Sequence, residues 1–137
     1  MILADTSAWV EYLRGTRHPA DLEMQRVARG DELVVTEPVV MELLAGAGPD
    51  RRAAGLRAVL SRHLVAPVGG IETYDAAAAI FRACRRRGDT VRSSIDCLIA
   101  AVAIRVQAPI LHNDRDFDVI ARHTALRIHP AGEETPR

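Results

Sequence analysis

Short apolar runs alternate along this chain with longer stretches in which apolar residues recur every three or four positions. The first run, MILAD (residues 1–5), is four apolar residues ending on an acid, a pattern suited to a buried strand. Further runs of this kind are ELVVT (32–36), LVAPV (64–68), APILHN (108–113) and LRIHP (126–130), and each predicts a strand. The stretches between them predict helices. AWVEYLRG follows Thr6 or Ser7 as N-cap. PADLEMQRVARG has Pro19 near its start and Gly30 after its end, and EPVVMELLAGAG is opened by Pro38 and closed by glycines. PDRRAAGLRAVLSRH and DRDFDVIARH read as helices too. IETYDAAAAIFRACRRRG places arginines in its last turn and Gly88 beyond it, as the helix dipole favours. The clearest helix is SSIDCLIAAVAIRVQ, where Ile95, Leu98, Ile99, Val102, Ala103 and Val106 follow the i, i+3, i+4, i+7 spacing.

Strands alternating with helices predict an α/β fold: a parallel sheet covered on both faces. No repeat or linker divides the chain. One domain over residues 1–130 is expected, with the polar tail AGEETPR (131–137) disordered. In open parallel sheets, ligands bind beyond the carboxyl ends of the strands. Asp5 and Asp114 each follow a strand, so both fall on that edge.

Composition narrows the picture only slightly. With 48% hydrophobic and 26% charged residues among 137, the chain has the profile of a soluble globular domain. No apolar stretch is long enough to span a bilayer, so no membrane association is expected. No basic region precedes the first apolar run, so no signal peptide is expected, and a cytoplasmic location follows. Cys84 and Cys97 each sit in a helical stretch and read as buried free thiols in a reducing compartment. The formal net charge is zero, which announces no nucleic-acid partner. All 18 cations are arginine. A GC-rich genome suffices to explain that, but the absence of lysine excludes any mechanism that needs a catalytic lysine.

The acids change the picture more. Asp114, Asp116 and Asp118 occupy every second position directly after an apolar run. Each acid has an ordinary reading. Asp5 and Asp114 can cap helices, Asp116 can complement a helix dipole, Glu42 and Asp118 can be solvated, and Ser93 with Asp96 resembles a capping box. Taken together, Asp5, Glu42, Asp96 and Asp114 lie at strand ends or near helix starts, positions that a parallel sheet gathers at one edge. Carboxylates so close repel unless a cation neutralises them. Mg²⁺ or Mn²⁺ suits an all-oxygen donor set, whereas softer metals favour Cys and His. His112 is read as a strand-end residue and not as a ligand. A metal held among carboxylates lowers the pKa of its water and offsets phosphate charge, which suits phosphodiester hydrolysis.

MILADTSAWVEYLRG, TEPVVMELLAG, GDTVRSSIDCLIAAVAI and ILHNDRDFDVIA, in this order and spacing, resemble PIN-domain ribonucleases. More narrowly, the chain is similar to VapC toxins of bacterial type II toxin–antitoxin pairs. The resemblance runs from Met1 to about Pro130. It implies a three-layer α/β/α sandwich on a five-stranded parallel sheet, and a carboxylate quartet that activates a metal-bound water. Asp5, Glu42, Asp96 and Asp114 match the quartet as catalytic residues. Asp5, Asp96, Asp114 and the accessory Asp116 match the metal-holding acids, for Mg²⁺ or Mn²⁺. Asp118 matches nothing functional. Thr6 and Ser7 match a D-T-S motif, in which a hydroxyl orients Asp5 or caps the helix. Where the family commonly has threonine before Asn113, this chain has His112, which leaves the surroundings of the fourth acid open.

The resemblance also implies a structured RNA substrate such as a tRNA or ribosomal RNA loop, a cognate VapB-type antitoxin that blocks the groove, and a homodimer. RNA contacts need cations, and arginine binds phosphate through a bidentate fork. Arg92, entering the helix that carries Asp96, and Arg86, among the arginines that precede it, are the candidates. Two rival readings remain. A phospho-acceptor signalling domain shares the sheet and the acids but needs a lysine. A binding-only module would keep the fold without the chemistry.

Overall fold

The computed structural model describes residues 1–131, and the expected disorder of the tail concerns positions that, from 132 onward, lie outside them. The chain runs β1 (Ile2–Ala4), α1 (Thr6–Arg14), α2 (Pro19–Val27), β2 (Leu33–Val35), α3 (Glu37–Ala45), α4 (Asp50–Leu60), β3 (Leu64–Val65), α5 (Ile71–Arg86), α6 (Ser94–Val106), β4 (Ile110–Leu111) and α7 (Arg115–His123). Every predicted helix is present. The strands form a parallel sheet in the order β3-β2-β1-β4.

The sheet departs from the expected five strands: four form among the described residues. LRIHP contributes only an isolated parallel bridge between Ile128 and Ile110. The Ile110 N–H donates to the Arg127 carbonyl and the His129 N–H to the Ile110 carbonyl, at 2.9 and 2.8 Å. The run has room for little more. Pro130 follows at once and has no N–H to continue a ladder. The opposite edge is short as well, since β3 is two residues long and exposes Leu64 and Val65.

The core lies on both faces of the sheet. Trp9, Phe117, Leu3, Met24, Ile99 and Ile120 are among its largest fully buried side chains. α6 is the most deeply set helix, with Ile99, Ala100, Val102 and Ala103 excluded from solvent, which accounts for its strong apolar periodicity. β1 lies between β2 and β4, so the chain leaves β1 toward one side of the sheet and later returns to the other. This is a topological switch point, where an open parallel sheet leaves a crevice beyond its strand ends.

Candidate active site

Asp5 directly follows β1, and its backbone is extended, so its carboxylate caps α1. Its Oδ2 accepts from the Ser7 N–H at 3.0 Å and from the Ser7 hydroxyl at 2.6 Å. Of the three caps open in sequence, Asp5, Thr6 and Ser7, the acid is the one that forms. Ser7 Oγ also accepts the Asn113 N–H at 2.8 Å, so one hydroxyl links the end of β1 to the segment leaving β4. The Thr6 hydroxyl donates instead to Glu42 Oε1 at 2.7 Å. The two hydroxyls thus serve two acids, Ser7 orienting Asp5 and Thr6 orienting Glu42, which projects from the middle of α3.

On the other side of the crevice, Asp114 caps α7 by accepting the Asp116 N–H at 3.0 Å. His112 Nδ1 accepts the Asp114 N–H at 3.0 Å, while the ring packs against Phe117 at 5.3 Å and its Nε2 lies 3.3 Å from Asp118 Oδ1. His112 and the exposed Asp118 therefore shape the turn into α7. Asp116 is fully buried in the first turn of α7. Asp96 is buried at the start of α6. The capping box that Ser93 and Asp96 resemble in sequence does not form, because Ser93 makes no side-chain capping bond.

Carboxylate oxygens of Asp96, Asp114 and Asp116 lie within 4.8 Å of one another. Asp5 and Glu42 are not part of that tight group, but Asp5 is close enough for its charge to act on Asp96, and Glu42 acts likewise on Asp5. Burial raises the Asp5 carboxyl above its ordinary range, against the lowering effect of the Ser7 bonds, and the Glu42 charge raises it further. Asp96 is pushed up to about 8, first by burial, then by the charges of Asp5 and Asp114, with a hydrogen bond to Asp116 adding to the effect. Asp5 Oδ1 is buried and has no hydrogen-bond partner. An orphaned carboxylate oxygen beside three converging acids, with oxygen the only donor element, fits a hard divalent cation.

The candidate arginines differ. Arg86 is exposed in the last turn of α5 and joins none of the hydrogen bonds of the acids. Arg92 is bound to two of them. Its backbone N–H donates to Asp116 Oδ2 at 3.0 Å, its Nε to Asp116 Oδ1 at 3.3 Å and its Nη2 to Asp114 Oδ1 at 3.1 Å. Sequence reasoning placed Arg92 beside Asp96 and missed these partners, which lie 22 and 24 positions away. It also missed Asn113, whose side-chain amide donates to Glu11 Oε1 at 3.2 Å. Cys84 and Cys97 are buried free thiols. Burial raises both, Cys97 to about 12, so neither is a nucleophile at neutral pH.

A parallel sheet with buried acids at its switch point defines a class of α/β proteins whose chemistry sits at the strand ends. A family model described as PIN domain matches residues 2–123. VapC ribonuclease Mb1587 of Mycobacterium bovis is 47% identical over 129 residues, covering 93% of this chain and 96% of that protein. Ribonuclease VapC11 of Mycobacterium tuberculosis matches to the same extent. The chain belongs to the PIN-domain family and, within it, to the group of the VapC ribonucleases. Among solved structures, VapBC2 from Rickettsia felis bound to a DNA fragment from its promoter superposes with a TM-score of 0.74 at 18% identity, covering 94% of this chain and 98% of that one. That likeness shows the fold.

Proposed function

We propose that this protein is the toxin of a type II toxin–antitoxin pair, an Mg²⁺- or Mn²⁺-dependent endoribonuclease that hydrolyses phosphodiester bonds in structured RNA. The observation that carries the reading is the convergence of Asp96, Asp114 and Asp116 beside the orphaned Asp5 Oδ1. The similarity to proteins named VapC ribonucleases supports it.

Asp5, Asp96, Asp114 and Asp116 are the residues that would hold the cation. A bound Mg²⁺ or Mn²⁺ would supply Lewis acidity toward the phosphate and a water of lowered pKa. Glu42, half-buried and oriented by Thr6, would serve as the proton acceptor. Ser7 fixes the Asp5 carboxylate, and the backbone N–H of Arg92 fixes that of Asp116, so both enter the reaction already oriented. Exposed arginines, Arg86 among them, offer phosphate contacts outside the acid cluster.

A VapB-type antitoxin is the proposed partner. A groove of about 650 Å³ adjoins the site, lined by Thr6 and Glu42 at one end and by Val10, Leu13, Leu43 and Leu56 along its length. Its apolar lining suits the apolar face of a partner helix, and its position would let that helix shield Glu42. A homodimer is proposed through the α5–α6 face, where Tyr74, Phe81, Ile95 and Leu98 line a second groove. Among the described residues no helix is long and apolar enough to cross a membrane.

The test is cleavage of total RNA by pure protein, with the new ends mapped. Cleavage should require Mg²⁺ or Mn²⁺, stop with EDTA and leave 5′-phosphates. Asp5→Asn should abolish both cleavage and growth arrest on expression. Cleavage in EDTA that leaves 2′,3′-cyclic phosphates would overturn the metal reading. Equal toxicity from the Asn variant would favour the binding-only module.

A further inference from the structure

The acid cluster already holds a cation, and it is part of the chain. The guanidinium of Arg92 spans Asp114 and Asp116, two of the three residues whose oxygens converge. We propose that Arg92 is an internal counter-ion, which a divalent cation must displace from the carboxylates and which is thereby freed to grip the phosphate backbone. This rests on the metal reading given above.

The contacts divide into a fixed part and a movable part. Asp116 is buried, and its Oδ2 is held by the Arg92 backbone N–H, which stays in place whatever the side chain does. The Arg92 side chain is 64% exposed. On its open side it pairs with Asp114, which is also partly exposed, and a pair of that kind contributes little and exchanges readily with solvent. The guanidinium can therefore swing away while Asp116 keeps its orientation.

The two cations compete for the same oxygen atoms. Nη2 lies 3.1 Å from Asp114 Oδ1 and Nε 3.3 Å from Asp116 Oδ1. Mg²⁺ binds carboxylate oxygen at about 2.1 Å. A metal ion sharing either oxygen would lie within about 5 Å of the guanidinium nitrogen, where a divalent and a monovalent cation repel even through water. When the metal enters, the favourable place for the guanidinium is outward, toward the face where an anionic substrate would lie. The metal-free protein gains by the same arrangement, because the positive charge of Arg92 offsets repulsion between the carboxylates of Asp114 and Asp116.

The experiment is Mn²⁺ binding by calorimetry, without RNA, for wild type, Arg92→Ala, Arg92→Gln and Arg92→Lys, paired with thermal melts in EDTA and in excess Mn²⁺. The neutral variants should bind Mn²⁺ roughly three- to tenfold more tightly, as the screened repulsion at this separation implies. Arg92→Lys, which keeps the charge, should stay near wild type. In EDTA the neutral variants should melt below wild type, and excess Mn²⁺ should close the gap. Arg92→Gln keeps much of the side-chain stem and stands in if the Ala variant folds poorly. Mn²⁺ affinity in both neutral variants equal to or weaker than wild type would overturn the counter-ion, while leaving the metal site intact. Mn²⁺ binding by none of the four proteins would remove the metal reading and the counter-ion with it.

Discussion

Asp96 carries the sharpest conflict at the residue scale. It is buried among three other acids, and its carboxyl is pushed up to about 8. A carboxyl with a folded pKa above its unfolded value binds its proton more tightly in the native state. Stability should therefore be highest below about pH 4 for this group and fall as pH rises from there toward 8. The metal-free protein should show that decline, and Asp96→Asn should flatten it, with a gain of roughly 1–3 kcal/mol at neutral pH. Melts in EDTA across that range check both, and a steeper decline in the variant would contradict the assignment. Because the proton must leave before a metal binds, Mg²⁺ affinity should rise with pH over the same window. Ser7 is the counterpart on the other wall. Ser7→Ala removes the hydroxyl that serves Asp5 Oδ2 and the Asn113 N–H, and should cost roughly 1–2 kcal/mol in chemical denaturation. The residue types of the site were legible in sequence because the aspartates each follow a strand or lie in the first turn of a helix, whereas Glu42, in the middle of α3, carries no such signal. The partners were not: that Thr6 serves Glu42 and Arg92 serves Asp114 and Asp116 is set by contacts between distant segments.

Local periodicity was a good guide to the elements. The deeply buried α6 and the amphipathic α7, capped by Asp114, both formed where the apolar spacing placed them. The strands were found but overextended, because an apolar run marks burial while its ladder depends on neighbours. LRIHP shows this most clearly, reduced by Pro130 and its edge position to one bridge. The C-terminus of α6 is an instance that sequence did not signal. Gln107 ends the helix in the left-handed region at φ 58°, a conformation that costs a residue with a Cβ about 1 kcal/mol. Its N–H still bonds back to the helix, and its carbonyl accepts from Arg127 at 2.6 Å. Gln107→Gly keeps both backbone contacts and relieves the strain. It should raise stability by roughly 0.5 kcal/mol, the relief being partly offset by the greater freedom of glycine in the unfolded chain. A lower melting point would show that the Gln107 side chain contributes more than its backbone suggests.

Across the whole molecule, the α5–α6 face joins the monomer to its proposed dimer. Phe81→Glu would place a charge in the groove lined by Tyr74, Ile95 and Leu98. It should shift the solution mass toward a monomer without loss of helix content, as light scattering with circular dichroism would report. An unchanged mass would move the interface elsewhere. The sheet order has another consequence, which concerns how the protein is made. The carboxylates come from distant parts of the chain: Asp114 and Asp116 follow Asp5 by more than a hundred residues. β1 can pair with β2 soon after both are made, but its second neighbour, β4, emerges more than a hundred residues after β1. A nascent chain of the proposed nuclease is therefore incomplete at its reactive centre, and becomes dangerous to nearby RNA only once β4 and α7 have joined the fold.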